Sequence, residues 1–187
     1  MSRVIHVFRT PERFVAGTVG EPGDRTFYLQ AIDEAKVVSV QMEKEQVAVL
    51  AERLSALLDE VVRRLGDAAA EPGELPVDTE PLRTPVEQEF QVGTMGLGWD
   101  IESRSIVVEL LAVSEQEIDE SMVLDDAEEG PDAVRVFLSL EQARAFAARA
   151  VRVISAGRRP CPLCKEPLGP KGHICPRQNG YRRQAEA

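Results

Sequence analysis

Three cysteines and a histidine stand within fifteen residues near the C-terminus, as Cys161-Pro-Leu-Cys164, an eight-residue spacer, and His173-Ile-Cys175. The chain has no other cysteine. An odd, clustered set argues against a disulfide framework and fits a reducing compartment. Zinc takes thiolate and imidazole ligands in a tetrahedron, and a Cys-x-x-Cys turn sets two sulfurs on one side of it. The spacer contains Pro167, Gly169, Pro170 and Gly172, so the chain can fold back there. His173 and Cys175, two apart in an extended segment, then point the same way and complete the set. Four protein ligands leave no open position, so the expected cofactor is a structural Zn2+ and not a Lewis acid. Such a site contributes about 10–16 kcal/mol of binding free energy to a segment too short to fold alone. Iron would fit the same ligands. A thioredoxin-like redox pair at Cys161 and Cys164 should open a helix in a βαβ unit. Here the pair follows Gly157-Arg-Arg-Pro160 and precedes Pro167. Unliganded cysteines are the remaining alternative.

Everything before this segment must fold by burial. With 187 residues, 43% hydrophobic and 29% charged, the chain suits one soluble domain and an appendage. No apolar run approaches the ~20 residues of a spanning helix. The opening Met-Ser-Arg-Val-Ile-His-Val-Phe-Arg lacks the apolar stretch and cleavage site of a signal peptide and reads as a first strand. The expected location is cytoplasmic, with no membrane contact.

Two short matches recur in order. Phe14-Val-Ala-Gly17-Thr18-Val-Gly20 returns as Phe90-Gln-Val-Gly93-Thr94-Met-Gly96, and Val40-Gln-Met-Glu-Lys-Glu45-Gln46 as Val136-Phe-Leu-Ser-Leu-Glu141-Gln142. They predict an internally duplicated α+β fold, each unit several strands and then a helix, around a mixed, mostly antiparallel sheet. In the first unit, residues 1–66, strand composition marks 4–8, 14–19, 26–31 and 37–42, and apolar spacing predicts a helix over 44–65. In the second, residues 86–156, strands are expected at 90–93, 98–101, 105–113 and 134–138. A helix over 140–155 should open on a Ser139/Gln142 capping box. Between the units, residues 67–85 carry four prolines and read as an extended linker. The last part, residues 157–187, is the zinc-ribbon-like or knuckle module.

Net charge is −10, unevenly spread. Residues 157–187 hold seven Lys or Arg and two acids, giving +5, so the rest carries 15 basic and 30 acidic side chains, giving −15. So acidic a body repels phosphate backbones and leaves only the tail for nucleic acid. There Arg158, Arg159, Lys165, Lys171, Arg177, Arg182 and Arg183 surround the ligands, with Tyr181 as one stacking ring. A protein partner, or the chain's own residues 115–132 with nine acids and no base, would satisfy those charges as well. The plainer reading of residues 115–132 is a solvated loop.

Other candidates have weaker chemistry. Gly93-Thr-Met-Gly96-Leu-Gly98 lacks the lysine and following helix of a phosphate loop and reads, like Gly17–Gly20, as a strand-end turn. His6 has no evident partner for general base work, and Trp99 is by default a core residue. No catalytic residue is assigned.

Three stretches carry a resemblance over nearly the full chain. They are Val7-Phe-Arg-Thr-Pro-Glu-Arg-Phe14, the Gly17-Thr18 step, and Cys161-Pro-Leu-Cys164 with Gly172-His-Ile-Cys-Pro-Arg-Gln-Asn-Gly-Tyr-Arg-Arg183. The chain resembles a family of conserved actinobacterial proteins of about this length and unassigned function. The resemblance implies a cytosolic bacterial protein whose gene often neighbours those of a histidine-phosphatase-type and a kinase-like protein. It supplies no catalytic residues. The leading expectation is a non-enzymatic adaptor that docks a protein partner. Nucleic-acid binding through the tail comes second, and an enzyme with a pocket between the two repeats third.

Overall fold

The computed structural model describes residues 3–66, 77–114, 129–157, 161–165, 168, 173–175 and 177. The elements run β1 (Ile5–Phe8), β2 (Arg13–Val19), β3 (Thr26–Asp33), β4 (Lys36–Met42), α1 (Lys44–Leu65), β5 (Gln88–Asp100), β6 (Ser105–Ala112), β7 (Ala133–Leu138) and α2 (Leu140–Ser155). The strands form one mixed sheet in the order β1-β7-β6-β5-β4-β3-β2. Hairpin neighbours are antiparallel, while β4–β5 and β1–β7 are parallel. A parallel pair needs a crossover, and α1 with the chain after it makes the one between β4 and β5.

Local chemistry accounts for both helices. No glycine or proline interrupts α1, and Glu43 with Gln46 closes a capping box at its start. The helix ends at Gly66, whose φ of 57° suits a residue without a Cβ. In α2 the Ser139 hydroxyl accepts from the Gln142 amide at 3.1 Å, and Gln142 Oε1 accepts from the Ser139 N–H at 3.0 Å. The capping box read from the sequence is therefore present.

One expectation fails in the second half. The strands expected at 90–93 and 98–101 are parts of the single long β5, so the glycines between them do not form a strand-end turn. Gly93 falls where the pairing register breaks between Val92 and Thr94. A Cβ there would lie 2.9 Å from Val113 Cα. Glycine in this strand thus marks a bulge and a close backbone approach, not a chain reversal. β5 pairs with β4 through Gln91, and with β6 from Val92 onward.

The sheet curls, and α2 closes it. This helix follows β7 but packs on β2 at the opposite end of the strand order, where Phe146 stacks on Phe14 at 4.7 Å. At the β1 edge the Lys36 ammonium sits 4.4 Å from the Phe8 ring and donates to Val7 O at 3.4 Å. One apolar core fills the space between sheet and helices, from Phe8 through Leu29, Leu50, Leu54 and Leu110 to Phe146. Trp99 packs against it, partly buried. Nearly every residue of β6 and β7 is buried, which is why these strands are apolar on both faces around Glu109 and Arg135. Within them Glu109, fully buried, pairs with Arg135 at 2.7 Å.

Residues 77–85, read as linker, lie against the sheet. Arg13 Nε donates to Asp78 Oδ2 at 2.6 Å, and Arg149 Nη1 to Asp78 Oδ1 at 2.9 Å. Arg149 Nε also reaches Ala16 O at 2.8 Å, so one guanidinium ties α2, β2 and this strap together. The strap's Leu82 sits over Gly17, and the buried Gln30 amide exchanges hydrogen bonds with Arg83 backbone groups at 2.8 and 3.0 Å.

Candidate metal centre

The geometry of the C-terminal segment begins with a tight turn. After Cys161 the chain turns through residues 162–164, and Lys165 N donates to Cys161 O at 2.9 Å. Lys165 has a φ of 67°, the left-handed conformation that lets the chain leave the turn. The backbone N–H groups of Cys164 and Leu163 point at Cys161 Sγ. The Arg177 N–H does the same for Cys175 Sγ, and the Arg177 guanidinium donates to Leu163 O at 3.0 Å, bracing the two limbs.

This folding brings Cys161, Cys164, His173 and Cys175 together, with one ligand atom from each lying within 4.8 Å of all the others. His173 Nε2 is 3.4 Å from Cys164 Sγ. A zinc–sulfur bond of ~2.3 Å implies sulfurs about 3.8 Å apart on a tetrahedral edge, so small inward shifts would close the set on one ion. Cys161 and Cys175 are 4% and 3% exposed, so half of the ligand set is shielded from water.

The electrostatics are those of a thiolate site. The Cys164 N–H, then that of Leu163, hold the Cys161 thiol down to about 6 against the opposing effect of burial. Burial pushes the Cys175 thiol up, but hydrogen bonds from His173 and the Arg177 N–H outweigh it and the net shift is downward. The Cys175 and Cys161 sulfurs in turn raise the His173 pKa. Backbone N–H groups aimed at sulfur stabilise the deprotonated form that a metal requires.

Of the expected contact residues, Lys165 and Arg177 are exposed beside the ligands. Arg158, Arg159, Lys171, Tyr181, Arg182 and Arg183 lie outside the described residues, as does most of the acidic stretch. At its end Asp132 accepts the Val4 N–H at 2.8 Å. His6 faces Glu89 at 3.1 Å in an exposed pair. A groove of about 390 Å³ runs between the helices of the two halves, lined by Ser55, Leu58, Asp59, Arg144, Ala147, Ala148 and Val151. Ser55 gives its hydroxyl to Ala51 O at 2.8 Å, within its own helix. Sequence reasoning missed the Arg13–Asp78–Arg149 cluster. Its one local signal was an arginine inside the apolar stripe of α2, where 7% exposure demands partners.

A family model described as a protein of unknown function, DUF3090, matches residues 6–175. The chain belongs to this family. The matched span of this DUF3090 chain opens in β1 and ends on Cys175, so it takes in all four residues of the Cys/His cluster. Comparison with curated proteins and with solved structures finds no match. No helix among the described residues is long and apolar enough to cross a membrane.

Proposed function

We propose that this DUF3090 chain is a cytosolic, actinobacterial zinc protein that acts as a non-enzymatic adaptor, its metal segment docking a protein partner. The convergence of three sulfurs and one imidazole within 4.8 Å carries the reading. Such a set saturates Zn2+, leaving the ion to hold a shape and not to activate a substrate. Two exposed cations, Lys165 and Arg177, flank it, suiting a contact surface. The α+β body would be a duplicated unit. In support, β2-β3-β4-α1 and β5-β6-β7-α2 have the same order, and the sequence matches fall on their first strands and on their strand-to-helix junctions. The halves are then related by a shift of three strands within one sheet.

The first test is metal content of the purified chain by mass spectrometry, with about one zinc per chain expected and near none in Cys175→Ser. The second compares pull-downs from native extract using full-length chain and a chain ending at Ala156. A defined protein that survives nuclease and needs the tail supports the adaptor. Tail-dependent RNA or DNA that disappears with nuclease would replace it by nucleic-acid binding, the reading that the same exposed cations favour. Retention of material by both chains would move attention to the groove between α1 and α2.

A further inference from the structure

The metal segment turns two apolar side chains outward. Leu163, inside the Cys161–Cys164 turn, is 46% exposed, and Ile174, between His173 and Cys175, is 91% exposed. Ligation forces the second: with residues 173 and 175 turned to the metal, the alternation of extended backbone turns residue 174 away. Lys165 and Arg177 are exposed in the same segment. Three thiolates and a dication leave one net negative charge at the centre, so residues 157–187 stay basic when loaded. A complementary ligand would be an acidic peptide with apolar residues inside it.

The chain contains one. Residues 115–128 carry seven acids and no base, interleaved with Ile118, Met122, Val123 and Leu124. The fold puts the points where the two segments leave the body at one end of the β2-β3-β4 half-sheet. Val113 N donates to Gln91 O, and Gln91 pairs with Gln41 on β4. Next along β4, Met42 pairs with Phe27 on β3. Two residues before Phe27, the Arg25 guanidinium donates to Ala156 O at 2.6 Å, at the start of the tail. Three strand spacings of ~4.8 Å and the length of one arginine therefore separate the two exits, about 20 Å in all. A fourteen-residue loop reaches roughly 23 Å on two limbs.

We propose that the metal segment's outer surface is a docking site for the chain's own residues 115–128. Leu163 and Ile174 receive the apolar side chains, and Lys165 and Arg177 the carboxylates. Tethering supplies an effective concentration of about millimolar, so contacts that are individually weak suffice. A protein partner of the tail must then compete with this segment, which makes the partner an acidic peptide of the same kind. The inference deepens the metal reading and rests on it.

The test is hydrogen exchange of residues 115–128 in the full-length, zinc-loaded chain, with zinc quantified in each sample. The variants are Leu163→Asp and Ile174→Asp, both exposed and neither a ligand. Slow exchange in the wild type that rises several-fold in either variant and at high salt, with zinc still stoichiometric, is the expected result. Exchange unchanged by both variants with zinc bound overturns the docking and leaves the metal site standing. Protection that grows with protein concentration assigns the site to a second copy and overturns the intramolecular form. Protection of Leu163 and Ile174 gained only on adding single-stranded RNA overturns it in favour of nucleic acid. A wild-type chain without zinc brings down the metal reading as well.

Discussion

Asp78 is the side chain on which three segments depend. The hydrogen bond from Arg13, then the Arg13 and Arg149 charges, hold its carboxyl below 3.8 despite the contrary effect of burial. Removing one partner of a buried pair costs 3–5 kcal/mol, and Asp78 is 30% exposed, so Asp78→Asn should cost about 1–3 kcal/mol in urea unfolding. The pH dependence has a definite sign. A carboxylate with a lowered folded pKa binds fewer protons folded than unfolded, so its contribution is complete at neutral pH and fades as pH falls from 3.8 through the folded value. The wild-type and variant stability curves should therefore converge below pH ~4; a constant gap would assign the loss to packing. The two sites differ in how far the sequence shows them. All four residues of the Cys/His cluster lie within fifteen residues, where spacing alone states the geometry. Asp78 stands 65 residues from Arg13 and 71 from Arg149, so only the fold brings them together.

Elements were legible where one local rule governed them. Both helices run where the apolar spacing predicted, because uninterrupted stripes and capping boxes lie within each segment. β5 departs from the pattern because glycine has two uses in a strand, and residues whose chemistry suits a turn here carry a bulge. Gly17 serves a third use. A Cβ on it would lie 2.5 Å from Leu82 Cγ, so its missing side chain is what lets the strap lie on β2. Gly17→Ala should cost about 1–3 kcal/mol by overpacking. In a Leu82→Ala background most of that cost should vanish, since the obstructing atoms are gone. A double-mutant cycle on thermal or urea unfolding reads the coupling directly. Additive costs would mean that the strap moves aside freely, and that strand strain at residue 17 sets the penalty.

At the scale of the molecule, the body and the Cys/His segment divide into a part with a core and a part outside it. Every residue of the buried apolar cluster lies between Phe8 and Ala150, and neither Cys161 nor Cys175 belongs to it. Among the described residues, seven strands and two helices close over one core, whereas a short segment that folds around an ion would depend on binding energy. Chelation of a zinc-loaded chain should thus separate two responses. The cooperative melting transition of the body should stay where it was, while Lys165 and Lys171 become sites of rapid tryptic cleavage. Cys164→Ser should reproduce that cleavage without chelator. A fall in the body's melting temperature on chelation would show instead that the metal segment buttresses the sheet. The Arg25–Ala156 contact, where the β2–β3 turn holds the start of the tail, would then be the residue pair to alter next.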